Sequence, residues 1–214
     1  MKIILGVTGS VAGILTPKLV GALIDANHEV QIVSTTPGLY FLPEGIDKEL
    51  EVKTKKGPVK VPLFRDKDEW PVGGYHKKDP VQHIEFRTWA DLLLIAPLSA
   101  NTLAKISHGL CDNFLCCIAR AWPKQKPLVV APAMNTEMWN DPITEKSLEL
   151  LKGHFQHFNP KTTSSRHRNA KTWIRRYKDL TVVEPIEATL ACGDTGIGAM
   201  ARIETIVETV NSFK

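Results

Sequence analysis

Short runs of continuously apolar, often β-branched residues alternate along the chain with longer stretches whose apolar positions recur every three or four residues. Residues 2–8, 29–35, 91–96, 127–131 and 180–184 form the first class. Being apolar without interruption, rather than alternating, they predict strands covered by helices on both faces. The longest helical stretch is 102–122, where Leu103, Ile106, Leu110, Phe114, Cys117, Ile118 and Ala121 form one stripe. Strand–helix alternation with right-handed crossovers predicts an α/β fold: a doubly wound parallel sheet inside a three-layer αβα sandwich. Ligands then bind beyond the carboxyl ends of the strands. At 214 residues, one domain is expected.

Two segments break the alternation. Residues 43–80 are long, mixed in charge and rich in Gly and Pro, with a short strand candidate at 59–64. A loop of that length is either functional or disordered. Residues 156–178 read as a polar, basic insertion.

Charge changes the picture only there. The chain has 27 Lys+Arg against 23 Asp+Glu, a formal net charge of +4. Between 156 and 178 stand seven Lys/Arg and no Asp or Glu, so subtracting +7 from +4 leaves the remainder at −3. The basicity belongs to one segment, which predicts a solvated loop or weak anion contact and no nucleic-acid partner. No window reaches about 18 uninterrupted apolar residues, so no membrane span is expected. The apolar run at 3–7 is too short for a secretory signal. Four cysteines (111, 116, 117, 192) show neither a disulfide framework nor CxxC, which predicts a reduced, cytoplasmic protein. Three of them fall on the 102–122 helix and read as core filler.

Candidate chemistry follows the strands. Gly6 to Gly13 form a small-residue turn leading into a helix, which suits a phosphate or an ordinary capped turn. Neither GxGxxG nor a Walker sequence is present. After the third strand, Ser99, Ala100, Asn101 and Thr102 offer more polar groups than one helix cap needs, as ligand contacts would. After the fourth, Asn135 could bind a carboxylate or a flavin oxygen, or simply cap a turn padded by Met134 and Trp139. Cys192 stands on a flap with three glycines in six residues, where a tuned thiol can act as acid or nucleophile. His83 suits general acid–base work or is a satisfied surface histidine. No His/Cys/Asp/Glu set has metal-ligand spacing, so no metal site is expected.

Four stretches, in chain order GVTGSVA, HIEFRTWADLLLIAPLSANTLAKISHGLCDN, APAMNTEMW and ACGDTGIGAMA, resemble the homo-oligomeric flavin-containing cysteine decarboxylase family, in its coenzyme A branch. The likeness covers the chain apart from 156–178, and the combination of APxSANT, PAMNxxMW and ACGDxGxGAM is highly specific. It implies a flavodoxin-like fold that binds FMN and assembles as a homotrimer, with the flavin near a subunit interface. The implied FMN contacts are Gly9, Ser10, Val11, Phe41, Ser99, Ala100, Asn101, Thr102 and Ala133. The implied catalytic residues are His83 and Cys192. Asn135 matches the substrate-carboxylate ligand, and Ala191 and Met200 belong to the substrate clamp. Thr189 replaces a frequent Lys or Arg, while Pro37 and Gly38 replace small hydroxyl residues.

The resemblance further implies oxidation of the cysteine thiol of 4′-phosphopantothenoylcysteine to a thioaldehyde, loss of carbon dioxide, and re-reduction of the enethiolate to 4′-phosphopantetheine. Two other readings share the fold: a peptidyl-cysteine decarboxylase, and a non-catalytic regulatory subunit that inhibits a phosphatase. The presence of His83, Asn135 and Cys192 together favours an enzyme.

Overall fold

The apolar runs become strands, and further strands arise where the pattern is weaker. The strands are β1 (Lys2–Val7), β2 (Glu29–Ser34), β3 (Glu49–Thr54), β4 (Gly57–Phe64), β5 (Leu92–Leu98), β6 (Leu128–Pro132), β7 (Thr163–Arg166), β8 (Trp173–Tyr177), β9 (Leu180–Val183), β10 (Ile186–Thr189) and β11 (Thr195–Ala199). The helices are α1 (Thr16–Asp25), α2 (Thr36–Leu39), α3 (Asp66–Glu69), α4 (Gln82–Trp89), α5 (Ala100–His108), α6 (Phe114–Ala121), α7 (Thr136–Asn140), α8 (Pro142–Gln156) and α9 (Ile203–Asn211). This computed structural model describes all residues except 71–72, 75, 157–162, 167–172, 178, 191–192 and 194.

Among the described residues, nine strands form one sheet in the order β3-β4-β2-β1-β5-β6-β9-β8-β7. Pairing is parallel from β4 through β9 and antiparallel at both margins. The strands β2-β1-β5-β6-β9 reproduce the flavodoxin-like order, in which the chain first steps from β1 to β2 and later returns past β1 to β5. The reversal puts the topological switch point between β1 and β5. Because crossovers are right-handed, reversing direction also moves the helices to the opposite face. Leu19, Val20 and Leu23 of α1 and Ile203, Ile206 and Val210 of α9 fill one core. Phe86 of α4, Leu103 and Ile106 of α5, Phe114 and Ile118 of α6, and Leu148 and Leu151 of α8 fill the other. No helix among the described residues is long and apolar enough to cross a membrane.

Three expectations need correction. The single helix expected over 102–122 is two. Gly109 takes a left-handed backbone (φ 74°) at the C-cap of α5, a conformation glycine adopts without a Cβ penalty. Asn113 then starts α6 by accepting the Cys116 N–H at 2.9 Å. Leu110 and Cys111 are thereby exposed in the connection, Cys116 is buried and Cys117 half-buried, so only part of the expected core filler fills the core.

Residues 43–80 are not a bare loop. They hold the β3–β4 hairpin, whose Leu50 and Val52 point inward between charged neighbours, and the short helix α3. Residues 156–178 are likewise more than a loop, since β7 and β8 pair and extend the sheet beyond β9. Ile174 of β8 is 4% exposed and joins the α1–α9 core, which supplies the apolar anchor that a purely solvated loop lacks.

Two histidines couple this packing to pH. His28 Nε2 lies 2.9 Å from Asn211 Oδ1 of α9. Burial pushes the His28 imidazole below its ordinary 6.5, an effect Asn211 opposes and Lys214 reinforces. Burial, then Lys124 and Arg120, lowers His154 as well. Both groups favour the neutral form when folded, so below 6.5 the unfolded chain binds more protons. Stability is therefore fully present above that value and is lost as pH falls through the depressed folded values. Urea midpoints at about pH 7.5 and about pH 5.5 should show this loss, and His28→Gln should reduce it. Equal slopes in the variant and the parent would exclude His28 as a source.

Candidate functional site

Thr8 sits at the switch point, fully buried just past β1. Its Oγ1 donates to the Pro97 carbonyl at 2.8 Å and accepts the Ser99 N–H at 2.7 Å. One hydroxyl therefore ties the carboxyl end of β1 to that of β5. Gly9, Ser10 and Val11 then lead into a 3₁₀ turn at Val11–Leu15. Ser10 holds the N-cap position with extended backbone yet makes no side-chain cap bond. Ser10 thus leaves the leading N–H groups of the turn uncapped, as binding of a phosphate there would require.

Two glycines let the neighbouring loop close onto this turn. A Cβ on Gly9 would stand 2.7 Å from Pro37 Cβ, and one on Gly13 would stand 2.9 Å from Phe41 Cβ. Phe41 consequently abuts the turn, with Tyr40 edge-on at 5.1 Å. Across the crevice, Ser99 Oγ caps α5 by accepting the Thr102 N–H at 3.4 Å and lies 3.3 Å from Thr102 Oγ1. Ser99 and Thr102 are buried and engage each other, Ala100 is half-buried, and Asn101 is exposed.

The end of β6 carries a second group. The buried Ala133 donates its N–H to the Leu98 carbonyl at 2.9 Å, and Met134 donates to Gly198 at 3.0 Å. Asn135 caps α7, its Oδ1 accepting the Glu137 N–H at 2.8 Å. The β10–β11 hairpin lies directly on this turn. A Cβ on Gly198 would stand 2.2 Å from the Met134 carbonyl oxygen, and one on Gly196 would stand 2.5 Å from Thr136 Oγ1. That Thr136 hydroxyl is buried without a hydrogen-bond partner among the described residues. Met200, expected in the substrate clamp, is buried in the core cluster that includes Ala133 and Ala201 and anchors the far end of the hairpin. Ala191 and Cys192 lie outside the described residues.

His83 belongs to a third group, in the first turn of α4. Its Nδ1 lies 3.0 Å from Glu69 Oε1 of α3. Cys117 of α6 completes a set whose potential ligand atoms all lie within 4.8 Å of one another. Local spacing could not reveal that set, because it is assembled by the packing of α3, α4 and α6. Asp66 clips the same region. Its Oδ2 accepts the Thr36 N–H and O–H at 3.2 and 2.8 Å, and its Oδ1 accepts the Phe114 N–H at 3.2 Å. Within one chain, α4 packs on α3 and α6 while α7 packs on α8 and β11, so His83 and Asn135 are carried by different helices.

These groups fit FMN. The uncapped turn after β1 offers N–H donors for the phosphate, Phe41 borders that turn, and the α5 N-terminus faces the same switch point between β1 and β5.

Comparison with known proteins agrees. A family model described as Flavoprotein matches residues 1–214. The chain is 43% identical over 213 residues to a probable phosphopantothenoylcysteine decarboxylase of Arabidopsis thaliana, covering 99% of this chain and 88% of that one. It is similar to the solved structure of a cysteine-to-serine mutant of PPC decarboxylase complexed with pantothenoylaminoethenethiol (TM-score 0.77, 42% identity, 99% of this chain and 97% of that one). It is also similar to the FMN binding protein AtHal3 (TM-score 0.74, 42% identity, 99% and 95% covered).

Thr8 gives the site its test. Thr8→Val keeps the shape but leaves the Ser99 N–H without its acceptor and the Pro97 carbonyl without its donor. The variant should lose about 1–3 kcal/mol in urea unfolding and retain less flavin on gel filtration. Parental stability together with parental flavin content would show that the bridge is dispensable.

Proposed function

The chain belongs to the Flavoprotein family, and on that premise we propose that it is a phosphopantothenoylcysteine decarboxylase, using FMN to convert 4′-phosphopantothenoylcysteine to 4′-phosphopantetheine in coenzyme A biosynthesis. The observation that carries this reading is the β1/β5 switch point, where a phosphate-ready turn and the α5 N-terminus meet in a chain about 40% identical to decarboxylases along its length. Gly9, Ser10, Val11 and Phe41 on one side, with Ser99, Ala100, Asn101, Thr102 and Ala133 on the other, hold the cofactor. When bound, FMN supplies the two-electron exchange that turns the substrate's thiol into a thioaldehyde and later reverses it.

The chain's residues manage geometry and protons around that exchange. His83 removes a proton as the thiol is oxidised. Asn135 holds the substrate carboxylate through its side-chain amide, in a turn already fixed by its cap bond to Glu137. With a thioaldehyde β to the carboxylate, carbon dioxide departs to leave an enethiolate rather than an unstabilised carbanion. Cys192 then returns a proton, with Ala191 and Met200 contributing to the clamp over the substrate.

The working unit is a homotrimer of single flavoprotein domains. Val11, Ile14 and Leu15 on the 3₁₀ turn are 44%, 61% and 37% exposed beside the crevice, an apolar surface that a second copy would cover. Placement of His83 and Asn135 on separate helices also suits a site completed between copies. The free thiols Cys111, Cys116 and Cys117 suit a reducing cytoplasm.

Purified protein should show flavin absorbance bands and release carbon dioxide from phosphopantothenoylcysteine, read by mass spectrometry of the product. His83→Ala should retain the flavin and lose roughly 10²- to 10⁴-fold in rate. Cys192→Ser should release carbon dioxide but accumulate the unreduced enethiol. Flavin-loaded protein that leaves the substrate intact would overturn the assignment.

A further inference from the structure

Three helices meet at a carboxylate that the chemistry above does not use. Glu69, the last residue of α3, is 3% exposed. A carboxylate at that depth persists only where donors reach it. One does, the imidazole of His83, with Nδ1 at 3.0 Å; the thiol of Cys117 donates to the Cys111 carbonyl at 3.4 Å and lies within 4.8 Å of both groups. Burial, reinforced by Glu69, pushes that thiol up to about 12, so at neutral pH it stays protonated. The same shift disfavours a metal on this triad, because a metal takes the thiolate. Helix α6 brings the Cys117 thiol beside the carboxylate, and the hydrogen bond of the carboxylate falls on the imidazole of α4. The packing of α4 on both α3 and α6 keeps that geometry.

We propose that Glu69 is the positioning residue for His83, holding the imidazole with its proton on Nδ1 so that Nε2 is the basic nitrogen. A neutral imidazole carries one N–H, and the group that accepts it decides which nitrogen remains basic. Glu69 touches neither substrate nor cofactor in this role and acts only through His83. The inference rests on His83 being the base of the proposed reaction.

The test uses flavin-loaded protein labelled with ¹⁵N-histidine, in which the two-bond couplings of His83 report its tautomer at about pH 7.5. The parent should show the Nδ1–H form; an Nε2–H form there overturns the proposal without recourse to any variant. Glu69→Leu, of similar volume and without an acceptor, should mix the tautomers. It should lower kcat about ten- to a hundredfold with KM within about twofold, since the substrate carboxylate is held elsewhere. Glu69→Gln, which keeps an accepting oxygen, should restore most of the Nδ1–H population and part of the rate. In a His83→Ala background, Glu69→Leu should change kcat less than about twofold. An undiminished kcat in Glu69→Leu, or an equal loss in the His83→Ala background, overturns the positioning role. A parent that binds flavin but releases no carbon dioxide would instead bring down the functional reading, while the tautomer still decides whether Glu69 controls His83.

Discussion

The buried Thr8 hydroxyl is the constraint on which the rest of the site depends. Strands β1 and β5 are the two between which the chain reverses its direction across the sheet, so their following loops must diverge. Divergence opens a crevice but also strands backbone groups that the parallel ladder no longer pairs. Thr8 Oγ1 resolves both needs, donating to Pro97 and accepting from Ser99. Being fully buried, the pair of bonds is shielded from water, and an unsatisfied partner would carry the full desolvation cost. The crevice therefore has a fixed width before any ligand arrives.

Around that fixed point, close backbone approaches do what longer side chains could not. Gly9 and Gly13 admit Pro37 and Phe41, and Gly196 and Gly198 admit the Thr136 side chain and the Met134 carbonyl. In each case a Cβ would fall below 3.0 Å from a neighbour, so the loops could not close to the same depth. Asp66 complements this packing electrostatically, since one carboxylate gathers Thr36 and Phe114 and so joins α2, α3 and α6. The loop that borders the cofactor side and the helix beside His83 are thereby parts of one assembly.

Legibility in the sequence follows from how each feature is encoded. Strands β1, β2, β5, β6 and β9 were readable within one or two residues, because burial on both faces demands unbroken apolar runs. The 102–122 helix was misread because its stripe continues through Leu110 while Gly109 and Asn113 impose a stop and a restart. Strand β3 was missed because only Leu50 and Val52 are inward, and Glu49, Glu51 and Lys53 between and beside them read as loop. The candidate residues Ser99, Asn135 and His83 stand out through their positions after or before strands. Glu69 does not, since nothing local distinguishes it within Asp66–Glu69. The role proposed for it exists only once α3, α4 and α6 pack, and the local signal is no more than an acidic residue in the long loop preceding His83.

The net charge, the most conspicuous number of the composition, comes from a segment separate in sequence from the residues of the crevice. Of the seven cations of residues 156–178, Arg166 belongs to β7 and Arg175 and Arg176 to β8, and β6, β9 and β8 intervene between β5 and the outermost strand. An outermost strand exposes unpaired backbone groups that invite pairing with another chain, and positive charge beside it discourages that pairing. The phosphate-binding capacity of the site needs none of it, because backbone N–H groups at the start of the 3₁₀ turn and of α5 supply the positive ends at the switch point.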